Sequence, residues 1–248
     1  MTGHVSGLWR YPIKSHGREA LESVTLVAGQ TFPWDRVWAV AHTETDVDGS
    51  DWAPCVHFSR GSKAPRLAGI SAELNEATGE VRLMHPDLTD LVVNPDEDPA
   101  ALLAWAGPLI PENRAQSARV VRSATRGFTD SPIASVSIMN ASSHRAVEGR
   151  LGRPLEPERW RGNIWLDGLA PWEEFDWLDC DVRIGGAVLR VRERIVRCAH
   201  TTASTTTGKR DTDTLRLLDE GWGHQDFGMN AEVIEGGDIR LGDMAGLA

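Results

Sequence analysis

Apolar and polar residues alternate over many short stretches of this chain, which is the pattern of half-buried β-strands. Glycine, proline, asparagine and aspartate separate many of these stretches, and such residues favour turns. Gly185 and Gly186 fit the tight turn of a β-hairpin. The predicted strands cover residues 4–13, 21–28, 34–42, a stretch ending at 74, 80–85, 88–94, 117–124, 133–140 and the two arms of the hairpin 181–193.

Helical patterns cover three short stretches, residues 98–105, 142–151 and 212–220, and residues 171–178 are expected to form a short helical turn. Asp98 is the expected N-cap of the first helix, and Pro99 suits its first helical position. Gly152 is expected to end the second helix. Many short strands, glycine turns and few helices together predict a mainly β fold with a few short helices (α+β), and they favour a closed barrel.

The length of 248 residues allows one large domain or two small ones. Residues 110–116 are polar and contain a proline, so they are the best candidate for a boundary. We therefore expect an N-terminal β-rich domain over residues 1–114 and a second domain over residues 115–248.

The charge of the chain limits its partners. Its 36 acidic residues exceed its 26 basic residues, which gives a formal net charge of −10. A strongly acidic chain is a poor candidate for binding nucleic acid or an anionic membrane, so we expect neither. Basic residues gathered in one site would be local exceptions to this overall field.

The cysteines and the N-terminal residues indicate the cellular compartment in which we expect the protein. The three cysteines are widely spaced and form no CxxC pair, so we expect no disulfide framework and a cytoplasmic location. The first seven residues lack the basic and apolar regions of a secretion signal. No apolar run reaches the roughly 18 residues that a membrane helix needs.

Residues 195–208 carry the clearest chemistry. Cys198 follows an apolar strand that bears Arg197, and a run of hydroxyl residues then leads to Gly208. A thiolate at a strand end can ligate a soft or redox-active metal. The hydroxyls and loop N–H groups can hold an anionic ligand without adding charge.

Two other interpretations of Cys198 remain open. On an extended chain His200 would share a face with Cys198, and the two would form a nucleophilic pair. Alternatively, Cys198 is an inert core cysteine.

A second candidate segment contains two arginines. Arg159 and Arg161 flank Trp160 at a spacing of two, which puts both on one face of an extended chain. A planar guanidinium grips a phosphate through two hydrogen bonds. The alternative is an edge strand with both arginines in solvent. Lys14 and Arg36, taken by residue type alone, are ordinary surface charges.

The stretch around Cys198 resembles the MOSC family, the C-terminal domain of molybdenum-cofactor sulfurases, and is closest to its amidoxime-reducing component branch. Ser204 and Thr205 replace an acidic or amide residue and a proline of that pattern. The matching residues are Arg197, Cys198, Thr201, Thr202, Thr207 and Gly208.

Other segments extend this resemblance over about residues 3–245. Residues 159–163 resemble the family's Arg-aromatic-Arg-Pro-Asn, with Gly162 in place of proline. Residues 11–15 and 35–40 resemble the N-terminal domain that accompanies MOSC, with His16 where relatives often have cysteine. The resemblance implies a MOSC β-barrel packed against an N-terminal β-rich domain.

The resemblance also implies a molybdenum–molybdopterin cofactor. Cys198 would be the catalytic residue and the protein's ligand to the metal, as a thiolate beside the two dithiolene sulfurs of the pterin. Arg161 aligns with the family's cofactor arginine and ranks above Arg159. The cofactor-binding residues implied are Lys14, Ser15, Arg36, Asp130, Ser131, Arg159, Arg161, Asn163, Arg197, Thr201 and Thr202.

The family reduces N-hydroxylated small molecules, so the resemblance implies an oxidoreductase for N–O bonds. The chain has no GxGxxG motif and no cysteine cluster, so the electrons are expected from a separate reductase. The main alternative is a non-catalytic carrier of the cofactor or of sulfur, with Cys198 holding a persulfide. A cysteine hydrolase is a third reading.

Overall fold

The computed structural model of the protein describes residues 2–248, and it is mainly β with three α-helices in that range. This confirms the predicted fold class. The strands are β1 (Gly3–Arg10), β2 (Glu19–Leu21), β3 (Ser23–Leu26), β4 (Trp38–His42), β5 (Ser71–Asn75), β6 (Glu80–His85), β7 (Leu88–Val93), β8 (Ser117–Arg122), β9 (Val136–Asn140), β10 (Ile164–Asp167), β11 (Asp181–Ile184), β12 (Ala187–Val196), β13 (Asp226–Glu235), β14 (Gly237–Arg240) and β15 (Met244–Leu247). The helices are α1 (Pro99–Ala106), α2 (Ala141–Leu151) and α3 (Thr214–Trp222).

Seven strands close into a barrel. Their order around it is β1, β10, β9, β13, β12, β11 and β15, and β15 pairs with β1 again. Within the barrel, β9 and β10 are parallel and the other neighbours are antiparallel. Alternate side chains point inwards and form a core of apolar residues that includes Val5, Ile138 and Leu189.

The N-terminal half contributes to this barrel as well as to smaller sheets. Strand β1 closes the barrel, and β3 pairs with β14 near its end. Strands β5, β6 and β7 form a three-stranded sheet, and β4 pairs with β8. A separate core around Trp38, Leu67 and Leu83 lies between these sheets and α1. The predicted domain division at residues 114 and 115 stays a prediction.

The helix ends follow the sequence signals closely. The Asp98 side chain accepts from the backbone N–H of Ala101 at 3.0 Å, and Pro99 begins α1, as predicted. Gly152 ends α2 in the left-handed region at φ 77°. A residue with a Cβ is disfavoured there, so glycine is the expected choice.

The strand predicted over residues 34–42 was too long at its start. Residues 33–36 form a turn, and β4 begins only at Trp38, because Trp34 and Arg36 take positive φ values of 60° and 55°. The Arg36 N–H donates to the Tyr11 carbonyl at 2.7 Å, which fixes that turn against the segment after β1. The alternation of side chains therefore misled the prediction at a site where tertiary contacts set the backbone.

Candidate functional site

Strand pairing and the segments that join the strands bring the candidate residues together. Leu8 of β1 lies opposite Ile164, and Ile164 lies opposite Ile138. The C-terminal end of β1 therefore adjoins the N-terminal ends of β10 and β9. Val196, at the end of β12, pairs with Asp226 of β13, and further along β13 Asn230 lies opposite Ser137 of β9. The segments after β1 and β12 and those before β9 and β10 carry most of the residues singled out in the sequence.

These loops surround a cavity of about 170 Å³. Ten of the twelve predicted site residues line it, namely Lys14, Ser15, Arg36, Asp130, Arg159, Arg161, Asn163, Arg197, Cys198 and Thr201. Ser131 and Thr202 lie just behind the lining. The Ser131 hydroxyl donates to Glu193 at 2.7 Å, and the Thr202 hydroxyl donates to the Ala199 carbonyl at 2.8 Å.

The single tyrosine of the chain, Tyr11, organises one wall. Its buried ring lies under two guanidiniums, with the Cζ atom of Arg161 at 4.1 Å and that of Arg36 at 5.0 Å from the ring centroid. The Tyr11 hydroxyl donates to the Gly162 carbonyl at 3.2 Å, and its N–H donates to Asp35. Burial raises the pKa of Tyr11, so its neutral ring can support both cations.

Arg161 is the cation with the fewest partners in this wall. Its Nη1 donates to the Gly17 carbonyl at 3.3 Å, whereas its Nη2 is buried and has no hydrogen-bond partner. Burial, with the repulsion of Arg36 added, lowers the pKa of Arg161 to about 10, so it stays charged at neutral pH. A buried donor without an acceptor is costly, and an anionic ligand in the cavity would supply one.

Arg36 and Arg197 continue the cationic wall. Arg36 pairs with the buried carboxylate of Asp35 and donates to the Arg161 carbonyl at 3.1 Å. Arg197 donates to the Trp160 carbonyl at 2.7 Å and to the Phe227 carbonyl. Burial lowers the pKa of Arg197 to about 10, which also leaves it protonated. We call Arg36, Arg161 and Arg197 the open arginine cluster.

Lys14 and Asp130 form an ion pair at the edge of this cluster. Lys14 is only 3% exposed, and its Nζ donates to Asp130 Oδ1 and to the Phe128 carbonyl, both at 2.6 Å. Burial lowers the pKa of Lys14, and Asp130 opposes that shift. Desolvation alone would raise the pKa of Asp130, but the Lys14 ammonium outweighs it and the pKa falls to about 2. Lys14 is therefore not the ordinary surface charge that its residue type suggested.

Cys198 lies at the end of β12 with an exposed side chain. Residues Ala199–Thr202 form a 3₁₀ turn rather than an extended chain, so the expectation that Cys198 and His200 share a strand face was wrong. His200 is buried, and burial lowers its pKa to about 3. Cys198 is not the inert core cysteine of the second alternative either, because its side chain is open to the cavity.

The arginine pair 159 and 161 does not share a face. Pro157–Trp160 is a 3₁₀ helix and Arg161 takes a left-handed φ of 50°, so the extended chain expected here was wrong. Arg159 is buried and bonds to Asp211 through both terminal nitrogens, at 2.7 and 3.0 Å. It also contacts Glu156, at 2.6 Å. We call Arg159, Glu156 and Asp211 the closed arginine cluster, because carboxylates occupy its guanidinium.

The remaining predicted residues mainly hold the loops. The Asn163 side chain accepts from the N–H of Ser137 at 3.1 Å and from its hydroxyl at 2.8 Å. The Thr201 hydroxyl donates to the Cys198 carbonyl at 3.1 Å and so fixes the turn after the cysteine. Ser15 takes a left-handed φ of 64° in the turn beside Lys14.

Sequence reasoning gave no role to several residues of the site, among them Tyr11, Cys55 and Arg60. Tyr11 was part of the resemblance but received no role, although being the only tyrosine was a signal. Cys55 and Arg60 line the cavity from the loop between β4 and β5. No motif marked that loop in the sequence, because its position depends on the tertiary fold.

Within residues 2–248, no group of three or more histidine, cysteine, aspartate or glutamate side chains is arranged to hold a metal ion. In the same range no helix is long and apolar enough to cross a membrane. The cavity thus offers one exposed thiol and several cations.

Comparisons with known proteins agree with the architecture. A model of the MOSC domain matches residues 125–245, and a model of the MOSC N-terminal beta barrel domain matches residues 2–108. No curated protein matches the chain.

Solved structures with some similarity include the YuaD protein from Bacillus subtilis, at 14% identity and a TM-score of 0.49, covering 99% of this chain and 94% of that one. YiiM from Geobacillus stearothermophilus is 19% identical with a TM-score of 0.37, covering 46% of this chain and 53% of that chain. YiiM from Escherichia coli is 16% identical with a TM-score of 0.34 and the same two coverages.

Proposed function

Because this chain belongs to the MOSC family and carries its N-terminal barrel domain, we propose that it is a molybdenum-cofactor enzyme that reduces N-hydroxylated small molecules. The MOSC family is associated with the molybdenum cofactor. The reaction we propose takes a hydroxylamine or amidoxime, two electrons and two protons, breaks the N–O bond, and releases the amine or amidine and water.

The observation that carries this proposal is the presence, in one cavity, of an exposed thiol and a guanidinium with an unsatisfied donor. Cys198 supplies a single sulfur, and the buried Nη2 of Arg161 has no acceptor in the protein. A molybdopterin carries an anionic phosphate and two sulfurs, so the donor set of the cavity fits it. Arg161, Arg36 and Lys14 would hold the phosphate, and Cys198 would ligate the metal.

The bound cofactor would supply the two-electron redox chemistry. The chain's own residues bind and orient. The Thr201 hydroxyl, by its bond to the Cys198 carbonyl, keeps the thiol pointed into the cavity. The Tyr11 ring holds the guanidiniums of Arg36 and Arg161 in place before any ligand arrives, which reduces the cost of ordering them on binding.

The electron donor we propose is a separate reductase protein, since the sequence has no nicotinamide, flavin or iron–sulfur motif. The cytoplasm is the compartment we propose. All three cysteines are free, and an exposed ligand thiol such as that of Cys198 needs a reducing environment.

The alternative function is a non-catalytic carrier of the cofactor or of sulfur. The exposure of Cys198 favours it, because a transferable persulfide must be reached by a partner. In that function the open arginine cluster would hold the cofactor only in transit.

Metal and pterin analysis of the freshly purified protein tests both functions. Stoichiometric molybdenum and pterin, together with reductase-supported turnover of benzamidoxime, is the expected result. Cyanide-labile sulfur without molybdenum or turnover would overturn the enzyme proposal and support the carrier.

A further inference from the structure

Arg60 differs from the other arginines of the cavity in what its guanidinium contacts. Within residues 2–248, its only hydrogen bond runs from Nη1 to the Sγ atom of Cys55, at 3.1 Å. Sulfur is a weak acceptor, and a guanidinium has five N–H donors. The other four cavity arginines all donate to oxygen atoms of this chain; they are Arg36, Arg159, Arg161 and Arg197. Arg60 is therefore a half-buried cation that still has room for an anion.

Close packing fixes Arg60 beside the turn that follows Cys198. Its neighbour Gly61 lies so near His200 that a Cβ at position 61 would overlap the imidazole ring. His200 is two residues beyond Cys198. A glycine is needed at position 61 for this approach, and it sets Arg60 at the cysteine side of the cavity.

Arg210 ties the same two segments together. Its Nη2 donates to the Ser62 carbonyl at 2.8 Å, and its Nη1 donates to the Ala199 carbonyl at 2.5 Å. One guanidinium thus bridges the loop of Arg60 and the turn of residues 199–202. The position of Arg60 relative to that turn is set by three contacts and does not depend on a ligand.

An apolar surface lies at the same cavity. The Val196 side chain is 73% exposed, the most exposed large hydrophobic residue in the described part of the chain, and it lines the cavity two residues before Cys198. Small-molecule sites commonly combine apolar lining with a few polar groups that fix orientation. Val196 supplies an apolar part of this lining, and Arg60 supplies a polar group.

We propose that Arg60 binds a carboxylate on the substrate, whose apolar body contacts Val196 and whose N–O group lies at Cys198. This inference rests on the proposed function and adds the substrate class, namely N-hydroxylated compounds that carry a carboxylate. In the proposed function, Lys14 and the open arginine cluster bind the phosphate of the cofactor. The guanidinium of Arg60 has no oxygen acceptor in the protein, so it is available to bind a second anion.

The first test compares two substrates of the same chemistry, benzamidoxime and 4-carboxybenzamidoxime, in the loaded protein. Arg60→Gln should lower the ratio of kcat/KM for the carboxylated over the neutral substrate by roughly 10- to 100-fold, the effect of losing one charge-assisted hydrogen bond. Arg60→Lys should recover part of that ratio. A ratio that does not change in Arg60→Gln would overturn the proposal.

Two measurements keep this test specific. Arg114→Gln removes an equal charge from an exposed arginine outside the cavity and should leave the ratio unchanged. Molybdenum and pterin content, measured on every preparation, separates substrate binding from cofactor binding. Loss of both cofactor and turnover in Arg60→Gln would assign Arg60 to the cofactor and reject the substrate role.

A second test needs no cofactor. The Cys55 thiolate attacks the CH2 carbon of iodoacetate or iodoacetamide and displaces iodide from either reagent. The ratio of the two rate constants therefore cancels changes in thiol reactivity and reports the attraction of an anion to Arg60. Arg60→Gln should lower the iodoacetate-to-iodoacetamide ratio at Cys55 by at least about threefold, measured by mass spectrometry. An unchanged ratio would reject the anion site.

The two proposals fail in different ways. A protein without molybdenum, pterin or turnover of either substrate would defeat the proposed function, and the alkylation ratio would still decide whether Arg60 attracts an anion. A loaded, active protein with no Arg60-dependent preference would defeat only the substrate class.

Discussion

Arg159 of the closed arginine cluster and Arg161 of the open arginine cluster are two residues apart in sequence, yet their surroundings differ. Arg159 has two carboxylates for one guanidinium, from Glu156 and Asp211. In the open cluster and its neighbour Lys14, four cations face only two carboxylates, those of Asp35 and Asp130. Charge balance within the protein therefore separates an arginine that stabilises a loop from one that is available to a ligand.

This difference shows why residue type and spacing alone could not distinguish the role of Arg159 from that of Arg161. The closed cluster joins the 3₁₀ helix that ends at Trp160 to the loop after Cys198, through Asp211. The open cluster instead keeps one buried donor nitrogen, Arg161 Nη2, that the protein does not satisfy. We expect the first to contribute mainly to stability and the second mainly to ligand binding, and the following experiments test that contrast.

The largest effect is expected for Cys198→Ala. Removing a residue that hydrogen-bonds to a metal ligand typically lowers metal affinity or activity by about 10- to 100-fold. Removing the ligand itself should therefore lower turnover by about 1,000-fold or more. The Cys198 side chain is exposed, and its removal should change the free energy of unfolding by less than about 0.5 kcal/mol. Turnover assays and urea unfolding measure the two effects, and retained turnover would contradict the enzyme proposal.

The next effect concerns pH and His16, which is buried beside the open cluster. Burial lowers the pKa of His16 to about 4, and the positive charge of Arg161 contributes to this shift. Between pH 6.5 and 4 the unfolded chain binds a proton that the native state does not, so stability falls as pH falls through this window. The loss by pH 4.5 should be roughly 2 to 3 kcal/mol.

Urea unfolding of the wild type and of His16→Gln at pH 7 and pH 4.5 measures this loss. The variant has no titratable group at position 16. Its free energy of unfolding should therefore fall by roughly 2 to 3 kcal/mol less than that of the wild type between pH 7 and pH 4.5. Other acid-sensitive groups are common to both proteins and cancel in the difference. Equal losses in the two proteins would show that His16 is protonated in the native state at the lower pH.

Arg161→Ala tests the open cluster directly. We expect molybdenum and pterin occupancy to fall by roughly 10- to 100-fold, because a charge-assisted contact to the phosphate is lost. Its buried Nη2 has no partner, so the free energy of unfolding of the unloaded protein should stay the same or rise. Metal analysis and urea unfolding give both readouts, and unchanged occupancy would reject the phosphate contact.

The smallest effect is expected for Arg159→Ala, the matched variant in the closed cluster. The free energy of unfolding should fall by about 1 to 2 kcal/mol, since Glu156 and Asp211 lose their shared cation but are partly exposed and keep some hydration. Occupancy should change less than in Arg161→Ala. The reverse order of the two variants in both assays would show that the assignment of the clusters is inverted.

Much of the fold could be predicted from the sequence, because local patterns act over a few residues. The alternation of β6 and β7, the Asp98 cap of α1 and Gly152 after α2 all agree with the structure. Predictions failed where distant contacts set the backbone, as at Arg36, whose left-handed turn is held by the Tyr11 carbonyl.

For the candidate site, the sequence by itself determined which residue types are available: one cysteine at a strand end, the arginines near it, and a lysine and serine after the first strand. Only the tertiary structure decided which of them face one cavity and which are already paired. Barrel closure by β1 brings Lys14 to Asp130, 116 residues away, and the Asp211 carboxylate from a later loop pairs with Arg159 but not with Arg161. The physical reason is that ion pairing and burial depend on neighbours in space, and strand register rather than sequence distance selects those neighbours.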